Sequence, residues 1–358
     1  MTMFTDPVDR VRQRSHGRAW VLLATFAVLG LLGSLMPATS LAQDAAGGSE
    51  LVVLGGSSPH VTIIDTATRE ITRTADIPDF TGWAWNDDNN HYDGTSLWLG
   101  LKDPETNAAE VISLDLDTLE VGRRIDIGED EMTLYIGGAA DDGTLLVGKM
   151  GSGQVAWIDS LAGELIKIVD VPVNGGVVCD MDYAVGPDGV ARAYYPTREG
   201  DTVVAIDAES GEELAVHSVP SGVAPFMGTV DPQGRPWMQE LANTNAVHDP
   251  VTLEVIGRIP TGGRPIGVSF SPDGSLGYIT HSDDSIIIAA DTESLEEVAR
   301  VEVGTNPTEV AVDPNGRFIY PIVTQEGLVG VIDTTTWELV ERIPLGTNPR
   351  GIFIRPSG

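Results

Sequence analysis

The chain has 358 residues, 42% of them hydrophobic, which is enough apolar material for a folded core. Its 53 acidic and 21 basic side chains give a net charge of −32, which disfavours nucleic acid and anionic membrane surfaces as partners. A single cysteine, Cys179, excludes an intramolecular disulfide.

The first 42 residues have the organisation of a secretory signal peptide. A basic stretch from Arg10 to Arg18 precedes an apolar run from Ala19 to Met36, and the small residues Ser40 and Ala42 predict cleavage before Gln43. We therefore predict a signal peptide over residues 1–42, a polar leader over 43–50, and a periplasmic or secreted protein without a membrane anchor after cleavage. An uncleaved anchor is the alternative, because the apolar run is long.

The rest of the chain, residues 51–358, is predicted to be an all-β domain built from repeats. Short apolar runs rich in Val, Ile and Tyr alternate with turn signals, and a Pro-x-Gly turn recurs, as at Pro272-Asp273-Gly274 and Pro314-Asn315-Gly316. In the second unit of the repeat the first turn is stretched from Asn86 to Gly94, which predicts a long acidic loop there. Four strands in roughly 40–45 residues is the size of one propeller blade.

An aspartate that ends the third strand of each unit counts the blades. These aspartates recur at intervals of 42 to 50 residues, at Asp65, Asp115, Asp159, Asp207, Asp249, Asp291 and Asp333. Six of the seven continue as Asp-x-x-Ser/Thr, a pattern in which the carboxylate closes a turn by accepting backbone N–H bonds. The spacing predicts a seven-bladed β-propeller with four-stranded blades.

The two ends of the domain predict how the ring closes. The last residues, from Pro349 onward, repeat the beginning of a unit, whereas the first unit starts at Leu51 with what matches a second strand. The C-terminal strand is therefore expected to supply the inner strand of blade one, which leaves no open sheet edge at the seam.

Blades six and seven, Pro265 to Pro307 and Pro307 to Pro349, carry a recognisable consensus. It reads Pro-x-x-Val-x-Val-x-Pro-x-Gly-x-x-x-Tyr, then Val-x-Val-Ile-Asp-x-x-Thr, then Val-x-x-Ile-x-x-Gly-x-x-Pro. This unit resembles the YVTN-type β-propeller repeat, and the resemblance covers most of the chain. It implies a seven-bladed periplasmic or secreted propeller. Related propellers include binding scaffolds, subunits of quinoprotein amine dehydrogenases and metal-dependent enzymes, so the resemblance leaves the function open.

Ligand sites of propellers usually lie at one mouth of the central channel, where inner strands begin and second strands end. The repeat alignment places there the candidate ligand-binding residues Trp83, Lys102, Tyr135, Lys149, Asp182, Arg198, Phe226, Arg264, His281, Glu309 and Arg350. The cations among them predict a site for a carboxylate or phosphate ligand. Structural pairing with Asp180, Asp182, Glu240 and Glu309 is the alternative.

The sequence implies no cofactor with a recognisable motif. The histidines are scattered over different blades, and the best candidate for a divalent metal is His281, which would need at least two further ligands from among Glu240, Glu309 and Asp182. We therefore expect a non-catalytic scaffold that binds a small molecule or a protein at the channel mouth. A periplasmic oxidoreductase, or a subunit of one, is the alternative.

Overall fold

A computed structural model describes residues 48–56, 60–77, 91–103, 105–132, 134–140, 142–346 and 348–356 of the chain. Seven antiparallel sheets of four strands form a ring, which confirms the predicted fold class. Within each sheet the strands follow one another from the inner to the outer edge. The predicted signal peptide and Trp83 lie outside the described residues. Within them, no helix has the length and hydropathy needed to span a bilayer.

The first three blades contain the irregular part of the ring. Blade one consists of β28 (Pro349–Arg355), β1 (Glu50–Gly55), β2 (His60–Asp65) and β3 (Ile71–Asp76). Blade two consists of β4 (His91–Tyr92), β5 (Ser96–Lys102), β6 (Ala108–Asp115) and β7 (Val121–Glu129). Blade three consists of β8 (Leu134–Ala139), β9 (Thr144–Lys149), β10 (Gln154–Asp159) and β11 (Glu164–Asp170).

The other four blades are more regular. Blade four has β12 (Asp182–Val185), β13 (Ala191–Thr197), β14 (Thr202–Asp207) and β15 (Glu213–Ser218). Blade five has β16 (Pro225–Val230), β17 (Pro236–Glu240), β18 (Thr244–His248) and β19 (Val255–Pro260). Blade six has β20 (Pro265–Phe270), β21 (Leu276–His281), β22 (Ile286–Asp291) and β23 (Glu297–Glu302). Blade seven has β24 (Pro307–Val312), β25 (Phe318–Val323), β26 (Leu328–Asp333) and β27 (Glu338–Pro344). Single 3-10 turns occupy Arg198–Gly200 and Thr324–Glu326.

The repeated aspartates close the turns before the outer strands, as their spacing predicts. Asp249, for example, accepts a backbone N–H bond of 2.8 Å from Thr252 and one of 2.9 Å from Val251. The residue four positions after each aspartate has a positive φ, a feature that the sequence pattern did not reveal. Glycine holds this position in blades three and four, and the other blades use Arg69, Leu119, Leu253, Leu295 and Trp337. A non-glycine residue in this region carries a conformational cost, so a strong local constraint must hold these turns in place.

The first hairpin of blade two differs from its prediction. His91 and Tyr92 pair with Trp98 and Leu97, so they form the short inner strand β4 and are not part of a loop. The hairpin closes because the Asp93 carboxylate accepts hydrogen bonds from the backbone of Ser96 at 2.8 Å and from the Trp98 indole at 2.8 Å. The remainder of the predicted acidic loop, residues 86–90, lies outside the described residues.

The C-terminal strand closes the ring, as predicted. In β28, Ile352 pairs with Val53 and Ile354 pairs with Leu51 in antiparallel register. The Arg355 guanidinium then joins two blades, because it forms ion pairs with Glu50 of blade one at 3.1 Å and with Asp117 of blade two at 2.7 Å. The seam therefore combines a complete backbone ladder with an inter-blade ion pair.

Two histidines are fully buried within strands: His248 in β18 of blade five and His281 in β21 of blade six. Burial lowers the pKa of His248 to about 4, and burial together with the nearby Arg300 charge lowers the pKa of His281 to about 4. Both rings are therefore neutral in the folded protein at pH 7, whereas in the unfolded chain they gain protons below about pH 6.5.

We predict that deleting residues 350–358 unfolds the ring, because blade one loses its inner strand and blades one and seven lose their seam. Circular dichroism and thermal melting check this. Deletion of residues 357–358 alone is the matched control, because it leaves all of β28, which ends at Arg355, in place. A truncated chain that melts within a few degrees of the full-length protein would show that the ring closes elsewhere.

We predict that the free energy of unfolding falls as the pH decreases from about 6.5 towards 4. Each histidine contributes a loss of about 1.4 kcal/mol per pH unit, because the unfolded state binds a proton that the folded state does not. Asp182 has the opposite effect: because its pKa is raised to about 6, the folded protein takes up a proton there between pH 6 and 4. This uptake offsets the contribution of one of the two histidines, so a net loss of stability remains. Denaturant titrations at pH 7.5, 6.5, 5.5 and 4.5 measure the slope. His281→Leu is expected to make it shallower, and an unchanged slope would contradict the assignment.

Candidate ligand-binding site

The end of the ring at which inner strands begin, here called the entry face, contains a compact apolar cluster. Its buried members come from blades three to six: Tyr135, Met150, Cys179, Phe226, Met227 and Ile266. The cluster is held together by polar contacts as well, because the Cys179 thiol donates a hydrogen bond of 2.6 Å to the Phe226 carbonyl. Two of the predicted site residues, Tyr135 of blade three and Phe226 of blade five, therefore belong to one cluster.

Two arginines lie against this entry-face cluster. The exposed guanidinium of Arg264 lies 5.0 Å from the centre of the Phe226 ring, which is a cation–π contact. Arg198 follows the second strand of blade four, and the residue before it, Thr197, forms a β-bridge with Val178, which is adjacent to Cys179 of the cluster. Its carboxylate partner is the adjacent Glu199, at 2.9 Å. Within the part of the chain that the structure describes, Arg264 forms no ion pair, so its charge faces solvent.

The other predicted cations are placed differently. Lys149 is 3% exposed, and its ammonium group donates hydrogen bonds to the Ile127 carbonyl at 2.9 Å and to Gln154 at 3.3 Å. Burial lowers the Lys149 pKa, and the acidic side chains of Asp130 and Asp126 oppose this shift. Lys102 donates to the Glu131 carbonyl at 2.8 Å. Arg350 packs its aliphatic part against Gly56, where a built Cβ would lie 2.1 Å from the Arg350 Cγ.

The acidic residues near the entry face mostly have partners other than these cations. Glu240 is buried and bonds Arg258 at 3.1 Å, which ties strands of its own blade together. Asp180, with a positive φ of 58°, accepts a bond from the backbone of Gly228 at 3.0 Å. Glu309 is 1% exposed and its carboxylate lies against Gly267 of the preceding blade.

The predicted metal candidate, His281, is fully buried inside blade six. The charged side chains near its ring, Arg300, Asp284 and Glu297, belong to the same blade. In the described ranges, no group of three His, Cys, Asp or Glu side chains converges in a way that could hold a metal ion.

Asp182 lies deeper in the channel than the entry-face cluster. It is half-buried because it faces the channel lumen, and the surrounding protein raises the pKa of its carboxyl to about 6. Three hydrogen bonds to the carboxylate act against this rise in pKa, because they favour the charged form. They come from the backbone of Tyr183 at 2.7 Å, from the backbone of Val230 at 2.7 Å and from the Thr229 hydroxyl at 3.1 Å. The carboxylate thus joins blade four to blade five.

A cavity of about 360 Å³ begins at this depth and extends towards the opposite end of the ring, here called the turn face. Asp182 is the single predicted site residue among its lining. Gly138, Thr229 and Ser269 also line it, and the sequence analysis did not select them. An alignment of whole inner strands would have found them, because Asp182, Thr229 and Ser269 occupy matching register positions in consecutive blades.

Comparisons with known proteins support the fold. No family model matches the sequence, and no curated protein sequence matches it. A solved structure of the periplasmic gluconolactonase PpgL of Pseudomonas aeruginosa superposes with a TM-score of 0.69 at 18% identity, covering 87% of this chain and 99% of that one. A candidate 6-phosphogluconolactonase of Bacteroides fragilis gives a TM-score of 0.68 at 13% identity, covering 88% and 99%. A chain of Kuenenia stuttgartiensis hydrazine synthase gives 0.60 at 18% identity, covering 83% and 98%. At these identities the likeness shows that the chain has the propeller fold.

Proposed function

We propose that this protein is a periplasmic or secreted propeller that binds a small organic anion, a carboxylate or a phosphate ester, at the entry face. The observation that carries the proposal is the position of Arg198 and Arg264, from blades four and six, against one buried apolar cluster. Guanidinium groups recognise carboxylates and phosphates through paired hydrogen bonds.

The rest of the molecule makes such binding selective. With a net charge of −32, the protein repels anions over most of its surface, so adsorption at random positions is disfavoured. Once a ligand covers the exposed guanidinium groups, apolar and aromatic side chains such as Phe226 beside them reduce the access of water to the contact, which strengthens it. Lys149 is left out of the proposed site because its buried ammonium already has two acceptors.

Sugar acids are reasonable first probes. Two of the similar structures are named for lactonases, and the hydrolysis product of a sugar lactone is a hydroxylated carboxylate. A carboxylate of this class suits the two arginines. The proposal concerns binding, and turnover of a lactone would extend it.

We predict that Arg264→Ala and Arg198→Ala each weaken binding of 6-phosphogluconate, gluconate or inorganic phosphate by at least tenfold, because one charged contact of about 1.4 kcal/mol corresponds to that factor. Isothermal titration calorimetry at fixed ionic strength measures the affinities. The melting temperature should change little, because surface substitutions usually move stability by less than about 0.5 kcal/mol.

Arg317→Ala is the matched control for this experiment. Its guanidinium also lies over an aromatic ring, 5.1 Å from the centre of Phe318, but in the turn that precedes β25. Affinity should be unchanged in this variant. Saturable anion binding that neither entry-face variant weakens, or no binding of any of the three anions, would contradict the proposal.

Metal analysis and the visible absorption spectrum of the same purified protein test the alternative of an oxidoreductase. A metal or a chromophore that remains in stoichiometric amount after dialysis against EDTA would favour that alternative. Loss of that metal in His281→Ala would assign it to blade six.

A further inference from the structure

The cavity in the turn-face half of the channel is lined by other residues than those of the entry-face cluster. Inner strands of six blades line its volume of about 360 Å³. The accessible lining combines polar groups of the inner strands with edges of side chains such as Val268, Val310 and Ile352, and Asp182 is the single ionisable residue among the described residues that line it. A cavity of this volume with a few placed polar groups is large enough for a small molecule.

Repeat register shows that the carboxylate is a departure from the common pattern. Asp182 directly opposes an aromatic residue of its neighbouring strand, Tyr194. In the next three blades the residues opposite the equivalent aromatic side chains are Thr229, Ser269 and Ala311. A small residue therefore suffices for packing at this level of the ring, and blade four alone of these four blades places a charge there.

Among the described residues, the hydrogen bonds of Asp182 leave one acceptor position of its carboxylate unused. Its Oδ2 accepts from Thr229 and Val230, and its Oδ1 accepts from the backbone of Tyr183. A carboxylate has about four acceptor positions, so Oδ1 retains one. Gly138 lies beside it, where a built Cβ would be 3.7 Å from Oδ1. None of the ion pairs formed within the described ranges includes Asp182, so the charge has no cationic partner in that part of the protein.

We propose that this cavity binds a small organic cation, with a primary ammonium group on Asp182 Oδ1 and the rest of the molecule between the inner strands. A charge surrounded by protein without a counter-charge is costly, and a bound cation removes that cost. The raised pKa of the carboxyl, with burial as its largest cause, agrees with a charge that lacks a partner. The net charge of −32 also raises the local concentration of cations, whereas an anion in this cavity would face Asp182 without compensation.

The test compares three probes of equal length: n-hexylammonium, 1-hexanol and hexanoate. In the intact protein at neutral pH, hexylammonium should bind at least tenfold more tightly than hexanol, and hexanoate should bind most weakly. Asp182→Asn should lower the affinity for hexylammonium at least tenfold while that for hexanol stays within twofold. Calorimetry or ligand-observed NMR measures the affinities.

Asp180→Asn is the matched control. Asp180 also joins blade four to blade five through a backbone N–H bond, to Gly228 at 3.0 Å, yet it does not line the cavity. This variant should bind hexylammonium as the parent does. Equal losses in both variants, an Asp182→Asn protein with unchanged affinity, or no saturable binding of hexylammonium to the parent would overturn the proposal.

If Asp182→Asn does not fold, the parent protein decides the question. Hexylammonium should shift the backbone amide resonances of Gly138, Thr229 and Ser269 and leave that of Arg264 unchanged. Shifts confined to the entry face would overturn the proposal, and they would do so independently of whether an anion binds there.

Discussion

The pairing of β28 with β1 is the constraint on which the rest of the structure depends. One blade of this protein cannot bury its own faces, because the cores lie between blades: Trp98 of blade two packs with Leu145 and Val147 of blade three, and Trp237 of blade five packs with Val268 of blade six. Every interface therefore needs its neighbour, and the first and last blades need the seam. Because the ring is closed, the inner strands hold fixed positions around the channel, and so do the side chains that they direct into it.

Much of this architecture could be predicted from the sequence because turn chemistry is local. An aspartate that accepts the N–H bonds of the residues two and three positions later is recognisable without knowledge of any neighbour, and its spacing gives the number of blades. The inner strand of blade two could not be predicted from the sequence. It is two residues long, which is too short for an apolar pattern to indicate a strand, and the sequence predicts a loop at Asp93, whose carboxylate in fact closes a tight hairpin. The positive φ at Leu253 and Leu295 was also missed, since leucine gives no signal of that conformation.

The sequence could predict at which end of the ring a site residue lies, but not whether its side chain is buried or faces solvent. Repeat alignment places Lys149 and Arg264 at the same end of the ring, yet one ammonium group is buried against the Ile127 carbonyl and one guanidinium is exposed over Phe226. Which of the two occurs depends on contacts between blades, and these join residues far apart in the sequence. The same applies to Asp180 and Asp182, which lie two residues apart and both reach blade five. Of these two residues Asp182 borders the cavity, because it lies further along the inner strand towards the turn face.

The two proposed sites differ in charge because the repeat is interrupted differently at two depths of one channel. Along β16, Phe226 belongs to the entry-face cluster and Thr229 lines the cavity, a separation of about 10 Å at the rise of a β-strand. Asp182 borders the cavity whereas Arg198 and Arg264 do not, so each level of the channel presents its own nearest charged group to a ligand. The whole-protein charge governs the approach of a ligand, and the nearest charged group governs its retention. A uniform ring of identical blades would offer neither distinction, so the positions where this chain departs from its own repeat are the positions where specificity is expected to reside.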